Sequence, residues 1–126
     1  MQFFDHLRPQ LTRQVSQRRQ LLRELIEKGN TLACCPINIT EVYAALRPQE
    51  ERNTKAFLHS LDLYPLSWPV AELAGILKRG HGKKGKTLNL GDVLIAATAL
   101  HNSLPLLTDH VKDFPMKELS LYPLPG

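Results

Sequence analysis

Cysteine is nearly absent from this sequence, and its two cysteines, Cys34 and Cys35, are adjacent. In an extended chain, neighbouring side chains point to opposite faces, so these thiols are predicted to lie apart rather than to bond to each other. The five histidines are scattered, without the His and Cys spacing of a zinc site. Neither a disulfide framework nor a zinc centre is therefore predicted.

Long apolar runs are lacking as well. The longest, Val93 to Leu100, is far shorter than the roughly 20 residues that span a bilayer. The first residues of the chain carry Asp5, Arg8 and Pro9, which interrupt the apolar segment that a secretory signal needs. We therefore expect a cytoplasmic protein with no membrane partner.

The composition is that of a globular domain. Hydrophobic residues make up 43% and charged residues 22% of the 126 residues, which argues against a disordered chain. This length predicts one domain over residues 1–126. The net charge of +4 permits a polyanionic partner such as nucleic acid but does not require one.

Short apolar segments alternate with amphipathic helical segments, which predicts an α/β domain with a mainly parallel central sheet flanked by helices. The glycines between Lys78 and Lys86 predict a loop. Helices are predicted over Leu11–Lys28 with Gly29 as end cap, from Asn38 to before Pro48, and over Arg52–Leu61, Pro69–Gly80 and Asp92–His101. Strands are predicted over Thr31–Ile39, Leu61–Leu66, Leu104–Leu107 and Leu119–Leu124.

Two helix starts share one pattern of polar residues. Asn38 precedes Glu41 by three residues, and Asn89 precedes Asp92 by the same spacing. Each asparagine suits the N-cap position, and a carboxylate three residues later stabilises a helix start by about 0.3–1 kcal/mol. Considered singly, each acidic residue fits a capping role better than a ligand role.

A third acidic group, Asp109 and Asp113, follows the strand predicted over Leu104–Leu107. Open parallel sheets bind ligands at the carboxyl ends of their strands, so all three acidic sites are placed to converge there. Repulsion within such a cluster is relieved either by protonation or by a hard cation such as Mg²⁺. Carboxylate-bound Mg²⁺ or Mn²⁺ promotes phosphodiester hydrolysis, so convergence would indicate a nuclease.

Three segments carry a resemblance to a known family. They are Ile37–Pro48 (INITEVYAALRP), Gly91–Ala99 (GDVLIAATA), and Leu104–Thr108 (LPLLT) followed by Asp113 and Phe114. In order and spacing, nearly the whole chain resembles the PIN-domain ribonucleases, particularly the VapC toxins of bacterial toxin–antitoxin pairs. The resemblance implies a three-layer sandwich around a mainly parallel sheet and a metal-dependent endoribonuclease that cleaves RNA.

The resemblance also implies a site for Mg²⁺ or Mn²⁺. Glu41 and Asp92 match two metal positions of the family, and Asp113 matches the last one, with Asp109 as the reserve. The implied partners are RNA and a cognate antitoxin that covers the acidic crevice. The aliphatic faces of the first long helix and of the Arg52–Leu61 helix suggest a groove for that antitoxin or for a homodimer.

The N-terminus departs from the family pattern and leaves two alignments open. The family usually opens with a central strand that ends in a metal-binding Asp. The preferred alignment reads Phe3–Arg8 as the first helix, so that the first strand is missing and Asp5 is an ordinary helix residue. The alternative makes Met1–Phe4 the strand and Asp5 its ligand. A missing strand would favour a degenerate PIN-like protein that binds RNA or an antitoxin without cleavage.

Overall fold

Five short strands form one parallel sheet. The computed structural model describes residues 2–4, 24, 27–29, 31–108 and 111–123. In sheet order β3-β2-β1-β4-β5, every neighbouring pair of strands is parallel, which confirms the predicted α/β class. The strands are β1 (Gln2–Phe4), β2 (Leu32–Cys34), β3 (Asp62–Leu63), β4 (Leu106–Thr108) and β5 (Leu121–Pro123).

β1 occupies the centre of this sheet, so the preferred N-terminal alignment was wrong. Phe3 pairs with Ala33 of β2 on one side and with Leu106 of β4 on the other. Extended backbone prevails over helix here because a strand between two others forms ladder hydrogen bonds along both edges. Asp5 follows β1 closely in the sequence but lies outside the described residues.

Four α-helices are described: α1 (Pro36–Ala45), α2 (Glu51–His59), α3 (Trp68–Lys83) and α4 (Leu90–His101). Short 3-10 turns cover Pro48–Glu50 and Val111–Asp113. Most of the helix predicted over Leu11–Lys28 lies outside the described residues, although the Lys28 N–H donates to the Glu24 carbonyl at 3.0 Å as helical backbone does. None of the described helices is long and apolar enough to cross a membrane.

Side chains along each strand point alternately to the two faces of the sheet, so each face has its own hydrophobic core. The predicted three-layer arrangement is thereby confirmed. On the face of α1 and α2, the buried cluster comprises Leu32, Cys34, Val42, Leu58, Leu61 and Leu107. On the face of α3 and α4, it includes Ala33, Cys35, Val70, Ala74, Val93, Ile95, Ala96, Leu106 and Phe114.

Helix α3 is longer than the sequence predicted. It continues through Gly80 to Lys83, so the region expected to be a loop is helical over its first part. The backbone N–H groups of Lys84 and Lys86 then donate to the His81 carbonyl, and Gly85 takes a φ of +82°. The last part of α3 contains Gly80 and Gly82, each of which costs roughly 1 kcal/mol inside a helix, and the packing of α3 as a whole against α4 offsets that cost.

The two cysteines are free, buried and assigned to opposite cores, as predicted. Burial is the main cause that raises the pKa of the Cys34 thiol to about 11, and it also raises the pKa of Cys35. At pH 8 such a shift lowers the thiolate fraction of Cys34 on the order of a hundredfold relative to an ordinary thiol.

We therefore expect both thiols of the native protein to resist iodoacetamide at pH 8, because the reactive thiolate is scarce and inaccessible. Mass spectrometry should find no alkylated cysteine before unfolding and two after unfolding in guanidinium chloride. Rapid alkylation of the native protein would contradict the burial of both residues.

Candidate active site

The first turn of α4 holds Asp92 in place. Asn89 is the N-cap, and its Oδ1 accepts the backbone N–H of Asp92 at 3.2 Å, as the sequence predicted. Asp92 is therefore the third residue of the helix and is only 8% exposed. Its carboxylate lies at the helix end where the backbone dipole favours negative charge.

The first turn of α1 differs from the prediction. The N-cap is Cys35 rather than Asn38, and the helix begins at Pro36. Asn38 is the third helical residue, and its Oδ1 accepts the Cys35 N–H at 2.8 Å. Proline suits a first helical position because it has no N–H to leave unbonded, so the helix starts earlier than the asparagine suggested.

This earlier start changes the interpretation of Glu41. The first turn of α1 contains no acidic residue, and Glu41 lies in the next turn, beyond the reach of a capping role. The capping explanation, which weighed against a functional role for Glu41, therefore does not apply.

Gly91 brings α1 and α4 close together beside Glu41. A Cβ built on Gly91 would lie 3.2 Å from Oδ1 of Asn89 and 3.8 Å from Oε2 of Glu41. The side chain of Glu41 thus borders the residue that precedes Asp92. Its negative charge also reaches Cys35, because it adds to the effect of burial in raising the pKa of that thiol.

Asp92 and Asp113 line one surface crevice of about 320 Å³. Asp113 is exposed and closes the 3-10 turn that follows β4, at the carboxyl edge of the sheet. Two lysines, Lys86 and Lys112, line the same crevice. The other lining residues are Thr87, Leu88, Asn89 and Pro115. The crevice therefore combines two carboxylates with two ammonium groups.

The full acidic cluster is not assembled within the described part of the chain. Among the side chains that the structure describes, no three His, Cys, Asp or Glu residues are grouped closely enough to hold a metal ion. Glu41 lies beside the start of α4, while Asp92 and Asp113 share the crevice. Asp5 and Asp109 lie outside the described residues.

The donors that are present suit a hard divalent cation. Mg²⁺ and Mn²⁺ prefer carboxylate oxygens, which Glu41, Asp92 and Asp113 carry. Because Gly91 has no side chain, the space beside Oε2 of Glu41 is wider than any other residue at this position would leave it. Both the chemistry of the donors and this opening fit such an ion.

Sequence reasoning assigned no role to Lys112 and did not foresee Cys35 as a cap, and it quoted Gly91 only as the start of a family-like segment. Lys112 is adjacent to Asp113 in the sequence, and a lysine beside a candidate acidic residue was the available signal. No comparable signal exists for Gly91, because its role depends on how closely α1 approaches α4.

Comparison with known proteins gives a consistent result. The PIN domain family model matches residues 15–112. Ribonuclease VapC19 from Mycobacterium tuberculosis is 32% identical over 112 residues, which cover 89% of this chain and 86% of that protein. A toxin–antitoxin complex from Klebsiella pneumoniae superposes with a TM-score of 0.73 at 26% identity, covering 98% of this chain and 100% of that chain.

A further solved structure, VapBC2 from Rickettsia felis bound to a DNA fragment from their promoter, has a TM-score of 0.75 at 23% identity. This likeness concerns the fold, and it covers 99% of this chain and 100% of that chain. The structural likeness therefore extends over nearly the whole chain, whereas the family model begins after β1.

Replacement of Asn89 by alanine tests the anchoring of Asp92. We expect the free energy of unfolding to fall by about 1 kcal/mol, because the Asp92 N–H loses its acceptor. Thermal unfolding should then occur about 3–5 °C lower. Asn89→Ser keeps an acceptor oxygen and should recover most of this loss. Equal melting of the two variants would contradict a stabilising cap.

Proposed function

Because this chain belongs to the PIN domain family, we propose that it is a VapC-like ribonuclease that cleaves RNA with Mg²⁺ or Mn²⁺ at its acidic crevice. Glu41, Asp92 and Asp113 are the proposed metal ligands, and Asp109 is the reserve for the last position. The observation that carries the proposal is the shared crevice of Asp92 and Asp113, with Glu41 bordering the start of α4. Similarity to Ribonuclease VapC19 supports the reaction class.

The carboxylates of the crevice have a defined task in this reaction. A divalent cation bound by them would activate water, polarise the phosphodiester and offset charge on the leaving oxygen. Asp92 is held ready for this by the Asn89 cap and by burial, so little reorganisation is needed when substrate arrives. Glu41, which borders the start of α4, contributes a third carboxylate from a different helix.

The lysines of the crevice act on the substrate rather than on the metal. Lys86 and Lys112 line the same space as Asp92 and Asp113. Their ammonium groups are placed to attract a phosphodiester towards carboxylates that would otherwise repel it. The crevice therefore carries charges of both signs, which suits a phosphate that must approach an acidic metal site.

Asp92→Asn and Glu41→Gln test the catalytic proposal. Each replaces a carboxylate by an amide of similar size, and we expect RNA cleavage in Mg²⁺ or Mn²⁺ to fall at least about a hundredfold. Cleavage of labelled single-stranded RNA should also cease in EDTA. Circular dichroism should show folded variants, since the helix-end charge of Asp92 contributes at most about 1 kcal/mol.

Asp62→Asn is the matched control, because Asp62 is an exposed carboxylate of β3 outside the crevice. It should cleave RNA at the wild-type rate. Metal-independent turnover, or full activity of Asp92→Asn and Glu41→Gln, would refute the proposed site. The binding-only alternative rested on a missing first strand, and β1 removes that reason for it.

We also propose that a cognate antitoxin docks on an apolar depression formed by α1, α2 and β3. This depression measures about 320 Å³. On its rim, Tyr43 is 40% and Leu63 is 57% exposed, and exposed apolar patches mark interaction sites. A structure similar to this chain is a toxin–antitoxin complex, which supports a protein partner. The remaining lining residues are Cys34, Ile39, Leu58, His59 and Leu61.

Leu63→Lys tests this docking site. An ammonium group placed in an apolar contact is costly, so inhibition of RNA cleavage should need about tenfold more antitoxin. Cleavage by the free variant should be unchanged. Ile76→Lys is the control, because Ile76 is 54% exposed but lies on α3, outside the depression. Equal effects of both substitutions would contradict the assignment. The homodimer expected from the sequence stays a prediction.

A further inference from the structure

A second depression adjoins the acidic crevice. It measures about 270 Å³ and is lined by His81, Lys84, Lys86, Pro115, Lys117 and Glu118. Lys86 and Pro115 line both this basic depression and the acidic crevice. The two spaces are therefore neighbours that meet at the Lys86 side chain.

The charge of the basic depression is predominantly positive. Lys84, Lys86 and Lys117 are exposed, and Glu118 is the one acidic residue among the residues that line the depression. Lysines near the C-terminus of α3 also complement the negative end of the helix dipole. That role does not account for Lys117, which comes from the segment after Asp113. Two separate parts of the chain thus contribute cations to one surface.

The structure separates the lysines of the 78–86 segment into different roles. The Lys78 ammonium donates a hydrogen bond to the Leu88 carbonyl, so it ties α3 to the segment before α4. Lys83 is exposed but lines neither the crevice nor the basic depression. Only Lys84 and Lys86 face the basic depression, together with Lys117.

We propose that the basic depression binds the phosphate backbone of the RNA strand beside the scissile phosphate, so that the strand leaves the acidic crevice over Lys86. This inference rests on the proposed ribonuclease function and adds to it the surface over which the RNA strand leaves the crevice. Exposed lysines bind successive phosphates without reading the bases, so the depression contributes affinity rather than sequence preference.

The double variant Lys84→Glu with Lys117→Glu tests this path. Binding of a fluorescein-labelled 20-nucleotide RNA of mixed sequence is measured by anisotropy in EDTA, where cleavage does not interfere. We expect about tenfold weaker binding at low salt. The slope of log affinity against log salt should shrink by about 1.4, because each lost phosphate contact contributes about 0.7 for single strands.

Lys83→Glu with Lys55→Glu is the matched control, since both lysines are exposed and the change in net charge is identical. It should bind within about threefold of the wild type, because the altered charges lie outside the strand's path. Equal losses in the two double variants would overturn the proposal, as they would reflect net charge alone. Weaker binding of poly-glutamate with unchanged RNA binding would overturn it in favour of an acidic protein partner.

A cleavage assay separates this proposal from the proposed function. The Lys84→Glu, Lys117→Glu variant should lose activity on the 20-nucleotide RNA but keep the wild-type rate on an unphosphorylated dinucleotide, because its one phosphodiester is the scissile one and it has no neighbouring phosphate for the basic depression. Equal loss on both substrates would overturn the strand path while leaving the nuclease intact. If the wild-type protein does not cleave RNA, but the double variant still binds RNA about tenfold more weakly than the wild type, the nuclease function is refuted and the RNA-binding surface is supported.

Discussion

Pairing of the three-residue strand β1 with β2 and β4 joins the two halves of the molecule. β2 and β3 lie on one side of it, and β4 and β5 lie on the other. Because every pair is parallel, the carboxyl ends of the strands share one edge, from which α1 and the turn containing Asp113 emerge. Without β1, β2 and β4 would each expose an unpaired backbone edge, and the acidic residues would lose their common frame.

The first turns of α1 and α4 are completed by different local interactions. In α4, the Asn89 cap accepts the backbone N–H of Asp92. The carboxylate of Asp92, a proposed ligand, also lies at the helix end where the dipole favours negative charge. In α1, Pro36 and the Cys35–Asn38 hydrogen bond complete the first turn, which leaves Glu41 without a capping task. Asp92 thus combines a structural position with its proposed role as a ligand, whereas the start of α1 does not require a carboxylate at Glu41.

The excess of positive charge is distributed unevenly around the site. Carboxylates meet lysines in the crevice, and the adjoining basic depression carries three lysines against one carboxylate. Under the proposed function, the basic depression would attract a polyanionic substrate, which would meet the acidic groups only in the crevice. Such a separation would let a protein of modest net charge bind a polyanion while its carboxylates stay available for the proposed cation.

Local and periodic features were readable from the amino-acid sequence. Asn89 caps Asp92 because a cap acts across three residues, and the alternation of Leu32, Ala33 and Cys34 determines which core each residue enters. The strand at Gln2–Phe4 was misassigned because three residues carry little signal of their own, and pairing with β2 and β4 decides their conformation. The meeting of Asp92 with Asp113, of Glu41 with Gly91 and of Lys86 with Lys117 is likewise a product of tertiary packing. Residues far apart in the sequence come together only when the helices pack against the sheet, and no local sequence pattern encodes that packing.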